Sequence, residues 1–142
     1  ESLAFEKKVN LETDIVPNVF VGGDATKLKE MTVVLCDNAV KYSSPDTTVY
    51  VSLLTTSNTV KLTVKNTGSV IAEEKQKDIF ERFFRADESR ARDTGGYGLG
   101  LSIAKNIALQ HKGSIKLDYS NEKQTSFTVT LPLSTNKHTA KE

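Results

Sequence analysis

The stretch GGYGLGLSIAKNIALQHKGSI (residues 95–115) places four of the chain's eight glycines in six residues and a fifth at Gly113, with a helical apolar pattern between them. Glycines just before a helix free the backbone N–H groups of its N-terminus to face an anion, and the helix dipole points its positive end the same way. Spacing excludes two familiar versions of this device. A dinucleotide fingerprint needs G-x-G-x-x-G directly after a strand. Here the spacing is Gly96-x-Gly98-x-Gly100, and the charged stretch RADESRARDTGG (residues 85–96) comes first. A P-loop needs Gly-Lys-Ser/Thr after a four-residue gap. Gly95 and Gly100 have the gap, but Leu101 and Ser102 follow. A structural glycine hinge and an anion cradle both remain open on this stretch alone.

Outward from it, the helix is expected from about Leu99 to His111. Two strands follow, with Ile115, Leu117 and Tyr119 alternating inward, then Phe127, Val129 and Leu131. Upstream, AEEKQKDIFERFF (residues 72–84) reads as a helix and RADESRARDTGG as a mobile polar loop. Val49, Val51 and Leu53 alternate, TTSN turns, and Val60, Leu62 and Val64 alternate again, which is a hairpin. Asp24 caps a helix whose stripe is Leu28, Met31, Leu35 and Tyr42, and SSPD ends it. Two short strands, KKVNLETDI and NVFVGG, flank Pro17. Paired strands with helices to one side give an α+β fold, a two-layer sandwich on a mixed sheet. A doubly wound parallel sheet would alternate strand and helix strictly, and this chain does not. Residues 1–133 are read as one domain and residues 134–142 as a disordered polar tail.

A chain of 142 residues with 37% apolar and 26% charged residues is globular and large enough for a real core. Nineteen basic against eighteen acidic side chains give no support to a nucleic-acid footprint, which wants a clustered basic excess. A single cysteine, Cys36, excludes an internal disulfide and a cysteine-based zinc site. Its apolar helical setting reads as a small buried hydrophobe in a reducing compartment. No apolar run reaches the roughly 20 residues of a bilayer span, and no signal peptide is visible. The first residue is Glu1 and not Met, so the chain is read as a piece of something longer.

Two asparagines decide between the readings of the glycines. Asn38 falls on the inward stripe of its helix, with Val34 and Tyr42 as i−4 and i+4 neighbours and Lys41 at i+3. An inward Asn must find partners. Capping a loop is one solution. Another is ligation of Mg²⁺ by its hard oxygen, with Lys41 near to meet phosphate. Asn66 continues the parity of Val60, Leu62 and Val64, so it faces the core at a strand end, and Gly68 follows it. A turn-forming Asn-Thr-Gly and an amide held inward at a pocket floor are both compatible with that placement.

Taken together, these segments resemble the ATP-binding catalytic domain of bacterial two-component sensor histidine kinases, in the ATPase superfamily that includes gyrase, Hsp90 and MutL. LCDNAVKYS (residues 35–43) resembles the N box, VKNTGSVI (64–71) the first glycine box, IFERFFRAD (79–87) the F box, and GGYGLGLSIAK (95–105) the second glycine box. HKGSI (111–115) resembles the His-Gly-Gly stretch that follows. The motifs run in order from residue 24 to residue 133.

The resemblance implies a Bergerat-type sandwich with a mixed sheet under three helices. It implies that Asn38 coordinates Mg²⁺, that Lys41 approaches the phosphates of ATP and that Arg85 reaches them, these three forming the catalytic set. Tyr42 would lie against the adenine region, with Asn66, Gly68, Ile71 and Phe80 also lining the nucleotide site. Gly96, Gly98, Leu99, Gly100 and Leu101 would wrap the phosphates, and the charged loop would be the ATP lid, anchored at its base by Phe80, Phe83 and Phe84. The implied partners are a histidine-bearing dimerisation domain of the same protein and a response regulator, with no nucleic acid and no direct membrane contact. The implied place is a cytoplasmic domain of a membrane-anchored parent.

Three departures from the family pattern stand out. Asn66 replaces an Asp that accepts from the adenine amino group, and an amide oxygen accepts that bond too. Val70 replaces the box's second glycine and brings a side chain that crowds the base. Val34 stands where kinases often carry Asn and ATP-hydrolysing relatives carry Glu. The leading function is the catalytic half of a sensor kinase. A degenerate nucleotide-binding or scaffolding module is the second, and an ATPase or serine-kinase relative the third, disfavoured because Val34 is no general base. His111 and His138 lack a phosphoacceptor context, and His111 ends a helix, where a cation suits the dipole.

Overall fold

The structure, a computed structural model, describes residues 8–16, 21–81 and 100–134. Its elements are β1 (Asn10–Ile15), α1 (Ala25–Lys41), β2 (Thr48–Thr55), β3 (Thr59–Asn66), a short 3₁₀ helix (Glu73–Asp78), α2 (Gly100–Gln110), β4 (Ser114–Ser120) and β5 (Thr125–Pro132). The strands form one sheet in the order β1-β2-β3-β5-β4. β1 pairs with β2 in parallel and every other pair is antiparallel, so the sheet is mixed.

Alternation sets the register. Val51 faces Val64 and Leu53 faces Leu62 across the hairpin, while Val64 faces Phe127 and Leu62 faces Val129 across the next ladder. Every second residue therefore turns one apolar face toward the helices. Asp24 caps α1 through Oδ1, which accepts from Thr26 N at 2.9 Å and Lys27 N at 3.3 Å. Helical spacing then puts Met31, Leu35 and Ala39 on one stripe. They join Val49, Val51, Leu62 and Val64 and the α2 residues Ala104, Ile107 and Ala108 in a single cluster with Val129 and Leu131. Met31 is 1% exposed, and burying a side chain of that size stabilises by about 1.5–3 kcal/mol.

Two expectations change. Within residues 72–81 the chain forms a 3₁₀ helix and not an α-helix. Its six residues, EEKQKD, include no apolar side chain to bury, and Ala72 gives no side-chain cap. Burial resumes at Ile79, and the Phe80 ring meets Phe127 edge to face, with centroids 6.0 Å apart. In β4, the register jumps between Leu117 and Tyr119, leaving Asp118 as an extra residue. That bulge reverses the parity. Tyr119 is therefore 38% exposed, and Ser120 takes the inward place opposite Thr125.

The His111 Nδ1–H donates to Ile107 O at 2.8 Å, while Nε2 accepts from the Asp24 backbone N–H at 3.0 Å. A carbonyl only accepts and an amide N–H only donates, so the two contacts fit an imidazole with its hydrogen on Nδ1. The ring ties the end of α2 to the start of α1. Gly23 makes room for it at φ +148°, where an ideal Cβ would lie 2.0 Å from His111 Cδ2. Of the expected strand NVFVGG, residues 18–20 lie outside the described residues, and residues 21–23 carry only a bridge at Gly23. Of the expected polar tail, residues 134–142, all but Ser134 also lie outside them.

Candidate functional site

The end of α1 and the loop after β3 are stapled together. Ser69 N donates to Tyr42 O at 3.0 Å and Ser44 N donates to Thr67 O at 2.9 Å, around a bridge between Ser43 and Gly68. Ser43, itself buried, closes the helix by donating from Oγ to Ala39 O at 2.7 Å. Gly68 is required by space. A Cβ there would lie 2.0 Å from Tyr42 O and 2.9 Å from Ser43 Cα, well inside any real contact. The first glycine box is thus held against the N box by main-chain bonds that only a glycine permits.

Asn66 sits at the edge of this staple, at the last position of β3 and opposite Thr125. It is 4% exposed, and its Nδ2 is buried without a hydrogen-bond partner among the described residues. Such donors are rare and ask for an explanation. The surrounding polar groups are occupied with one another. Ser120 Oγ and Thr125 Oγ1 share a hydrogen bond of 2.7 Å, and Ser120 Oγ also accepts from Ile71 N at 2.9 Å. Gln76 Nε2 donates to Ile71 O at 2.9 Å, which fixes the loop from below. Val70 stands at the rim and is 50% exposed.

The third wall comes from the two helices. An ideal Cβ on Gly100 would meet Val34 Cγ1 at 3.4 Å, so the α1 face carrying Val34 lies beside the N-terminus of α2. Asn38 follows on the same face, about 6 Å further along the axis at 1.5 Å per residue. It is half-buried, as are Lys41 and Tyr42 in the last turn. Their position is past the point where α2 begins, on the side where its first N–H groups and the positive dipole end emerge. Gly100 is exposed, and that single contact is an ordinary one, so packing does not demand a glycine there. Leu101 turns inward and packs against the core.

These observations fit a nucleotide with its metal. Asn66 offers an unsatisfied buried donor, Gly100 leaves its backbone open to approach, and Asn38 carries a hard oxygen one turn beyond Val34. No group of three His, Cys, Asp or Glu that could hold a metal occurs among the described residues.

Main-chain bonds bring Tyr42 and Ser43 against Gly68 and Ser69, Gly100 adjoins Val34, one turn before Asn38, Ile71 is bonded to Ser120, and Leu101 packs on the core. The structure sets Phe80 against Phe127, at the base of the segment that follows. Arg85, Gly96, Gly98 and Leu99, with Phe83, Phe84 and the expected lid, lie outside the described residues. Thr125 and Ser120 were missed from the sequence. Thr125 shares the inward parity of Phe127 and Val129 and was open to detection. Ser120 was hidden by the bulge. A hollow of about 440 Å³ among Glu12, Tyr50, Lys65 and Gln124 is lined by none of the candidate site residues. Tyr50 and Lys65 belong to the sheet face turned away from the helices.

The family model described as histidine kinase-, DNA gyrase B-, and HSP90-like ATPase matches residues 23–135. The chain belongs to this family. Among relatives, the sensor histidine kinase RppB of Synechocystis is 35% identical over 132 residues, which cover 92% of this chain and 29% of RppB. The chain therefore spans under a third of that relative's length. Among solved structures, the mycobacterial sensor histidine kinase MprB superposes with a TM-score of 0.81 at 30% identity, covering 93% of this chain and 89% of that one. The histidine kinase ThkA, solved in complex with the response regulator protein TrrA, shares the fold at 22% identity, with a TM-score of 0.75 over 94% of this chain and 36% of that one. The ATPase-family sandwich accounts for the mixed sheet and for the helices packed on one of its faces.

Proposed function

We propose that this chain is the ATP-binding catalytic domain of a sensor histidine kinase, spanning residues 1–133. In this reading the kinase passes the γ-phosphoryl group of Mg-ATP to a histidine on a separate helical dimerisation domain, and from there to a response regulator. The observation that carries it is the joining of the Asn38 turn of α1 to the Asn66 corner, beside the open N-terminus of α2. Phosphoryl transfer is mostly positioning and charge neutralisation, and the metal supplies neutralisation when bound. Asn38 would hold it, Lys41 and Arg85 would meet the phosphates, and Gly96, Gly98 and Gly100 would give the backbone its close approach.

Val34 supports transfer to a side chain over attack by water. It is an apolar group next to Gly100, where a hydrolase of this family would place a carboxylate base. Acting on the cytoplasmic side of a membrane-anchored parent is part of the same proposal. Among the described residues, no helix is long and apolar enough to cross a membrane.

Calorimetric titration with ATP, with and without Mg²⁺, tests the reading on wild type and Asn38→Ala. Wild type should bind in a Mg²⁺-dependent way. The variant should lose that binding while keeping its circular dichroism spectrum. No binding by wild type, or equal affinity in the variant, defeats the assignment.

A further inference from the structure

The most unusual polar group in the described structure is the Asn66 amide. Its Nδ2 is buried without a partner among the described residues, and Thr125, opposite it in the sheet, shares a hydrogen bond with Ser120, which also accepts from Ile71 N. A carboxylate here would offer acceptors only. A carboxamide offers one acceptor and one donor side by side, and a half-turn about its terminal torsion, which is broad and roughly two-fold, exchanges them.

This matters for what the corner can read. A 6-aminopurine presents an N6–H₂ donor beside the N1 acceptor, whereas a 6-oxopurine presents an O6 acceptor beside an N1–H donor. The two edges are mirror patterns of donor and acceptor. Two carboxylate oxygens match the N6–H₂ group and repel O6, and that repulsion rejects the oxopurine. The Asn66 amide matches either edge by turning over, and in both cases its unpaired N–H gains an acceptor.

We infer that the nucleotide corner of this chain, with the unpartnered Asn66 amide as its reader, accepts 6-oxopurine as well as 6-aminopurine triphosphates. The inference rests on the nucleotide-binding reading above and adds the purine class to it. Thr125 and Ser120 do not restore selectivity, because a hydroxyl donates or accepts as the base edge requires.

The test compares Mg-ATP with Mg-ITP by calorimetry on the whole 142-residue chain. Inosine triphosphate carries the 6-oxo group without the 2-amino group of guanine, so it isolates the 6-position. The wild-type dissociation constant for Mg-ITP should lie within about tenfold of that for Mg-ATP, the range in which two neutral hydrogen-bonded edges differ. Asn66→Asp should move that ratio by about tenfold or more toward ATP. A wild-type preference for ATP beyond tenfold overturns the inference while leaving nucleotide binding intact. So does a folded Asn66→Asp variant with an unchanged ratio. Binding of neither nucleotide defeats the nucleotide-binding reading and this inference with it. The wild-type ratio needs no variant, so a failure of Asn66→Asp to fold does not remove the test.

Discussion

Gly68→Ala should be among the most damaging single-methyl additions in the described structure. The added Cβ would lie 2.0 Å from Tyr42 O and 2.9 Å from Ser43 Cα. Both are backbone atoms at the end of a helix, so no side chain can swing away to relieve the contact. Either the β3 loop or the last turn of α1 must move by more than 1 Å, on the order of the gap between 2.0 Å and an ordinary contact. Overpacking of this kind costs about 1–3 kcal/mol. The motion also strains the bonds Ser69 N to Tyr42 O and Ser44 N to Thr67 O, each contributing about 0.5–1.5 kcal/mol. A loss of about 3 kcal/mol is a large share of the roughly 5–15 kcal/mol that holds a domain folded. Urea unfolding followed by circular dichroism measures it directly. With a slope of about 2 kcal/mol per M, the midpoint should fall by about 1.5 M. Mg-ATP affinity should fall in the same variant, because the Asn66 corner shifts relative to Asn38. A midpoint within about 0.3 M of wild type would show that the staple is not tight and would refute the steric argument.

Gly100→Ala should behave oppositely. Its Cβ meets only Val34 Cγ1, at 3.4 Å, and alanine favours a helix by up to about 1 kcal/mol. Unfolding should be unchanged or shifted upward while Mg-ATP affinity drops, since the methyl enters the side that phosphate approaches. Undiminished affinity in calorimetry would count against placing phosphate there. His111→Ala removes the bonds to Ile107 O and from Asp24 N and should cost about 1–3 kcal/mol in thermal unfolding. A melting temperature equal to wild type would mean that the two helix ends are held by packing alone.

Much of the architecture was legible in the residues themselves. Period-two alternation from Val49 to Val64 and from Phe127 to Leu131, the 3.6-residue stripe through Met31 and Leu35, and the Asp24 cap are local signals, each written within a few residues of the atoms it organises. The four boxes identified the family because their residue types and order survive without any knowledge of contacts. What the tertiary structure alone decided lies between residues far apart in the chain. The bulge at Asp118 follows from pairing with β5 and turned Tyr119 outward against its apparent parity. The His111 ring met Asp24 across 87 positions, Ile71 met Ser120 across 49, and Gly68 proved indispensable only once Tyr42 O lay against it. Asn66 was visible as an inward amide. That its donor is unpaired depends on what Ser120, Thr125 and Ile71 do with their own hydrogen bonds. Satisfaction of a buried polar group is a property of all its neighbours at once, and no local pattern of residue types encodes it.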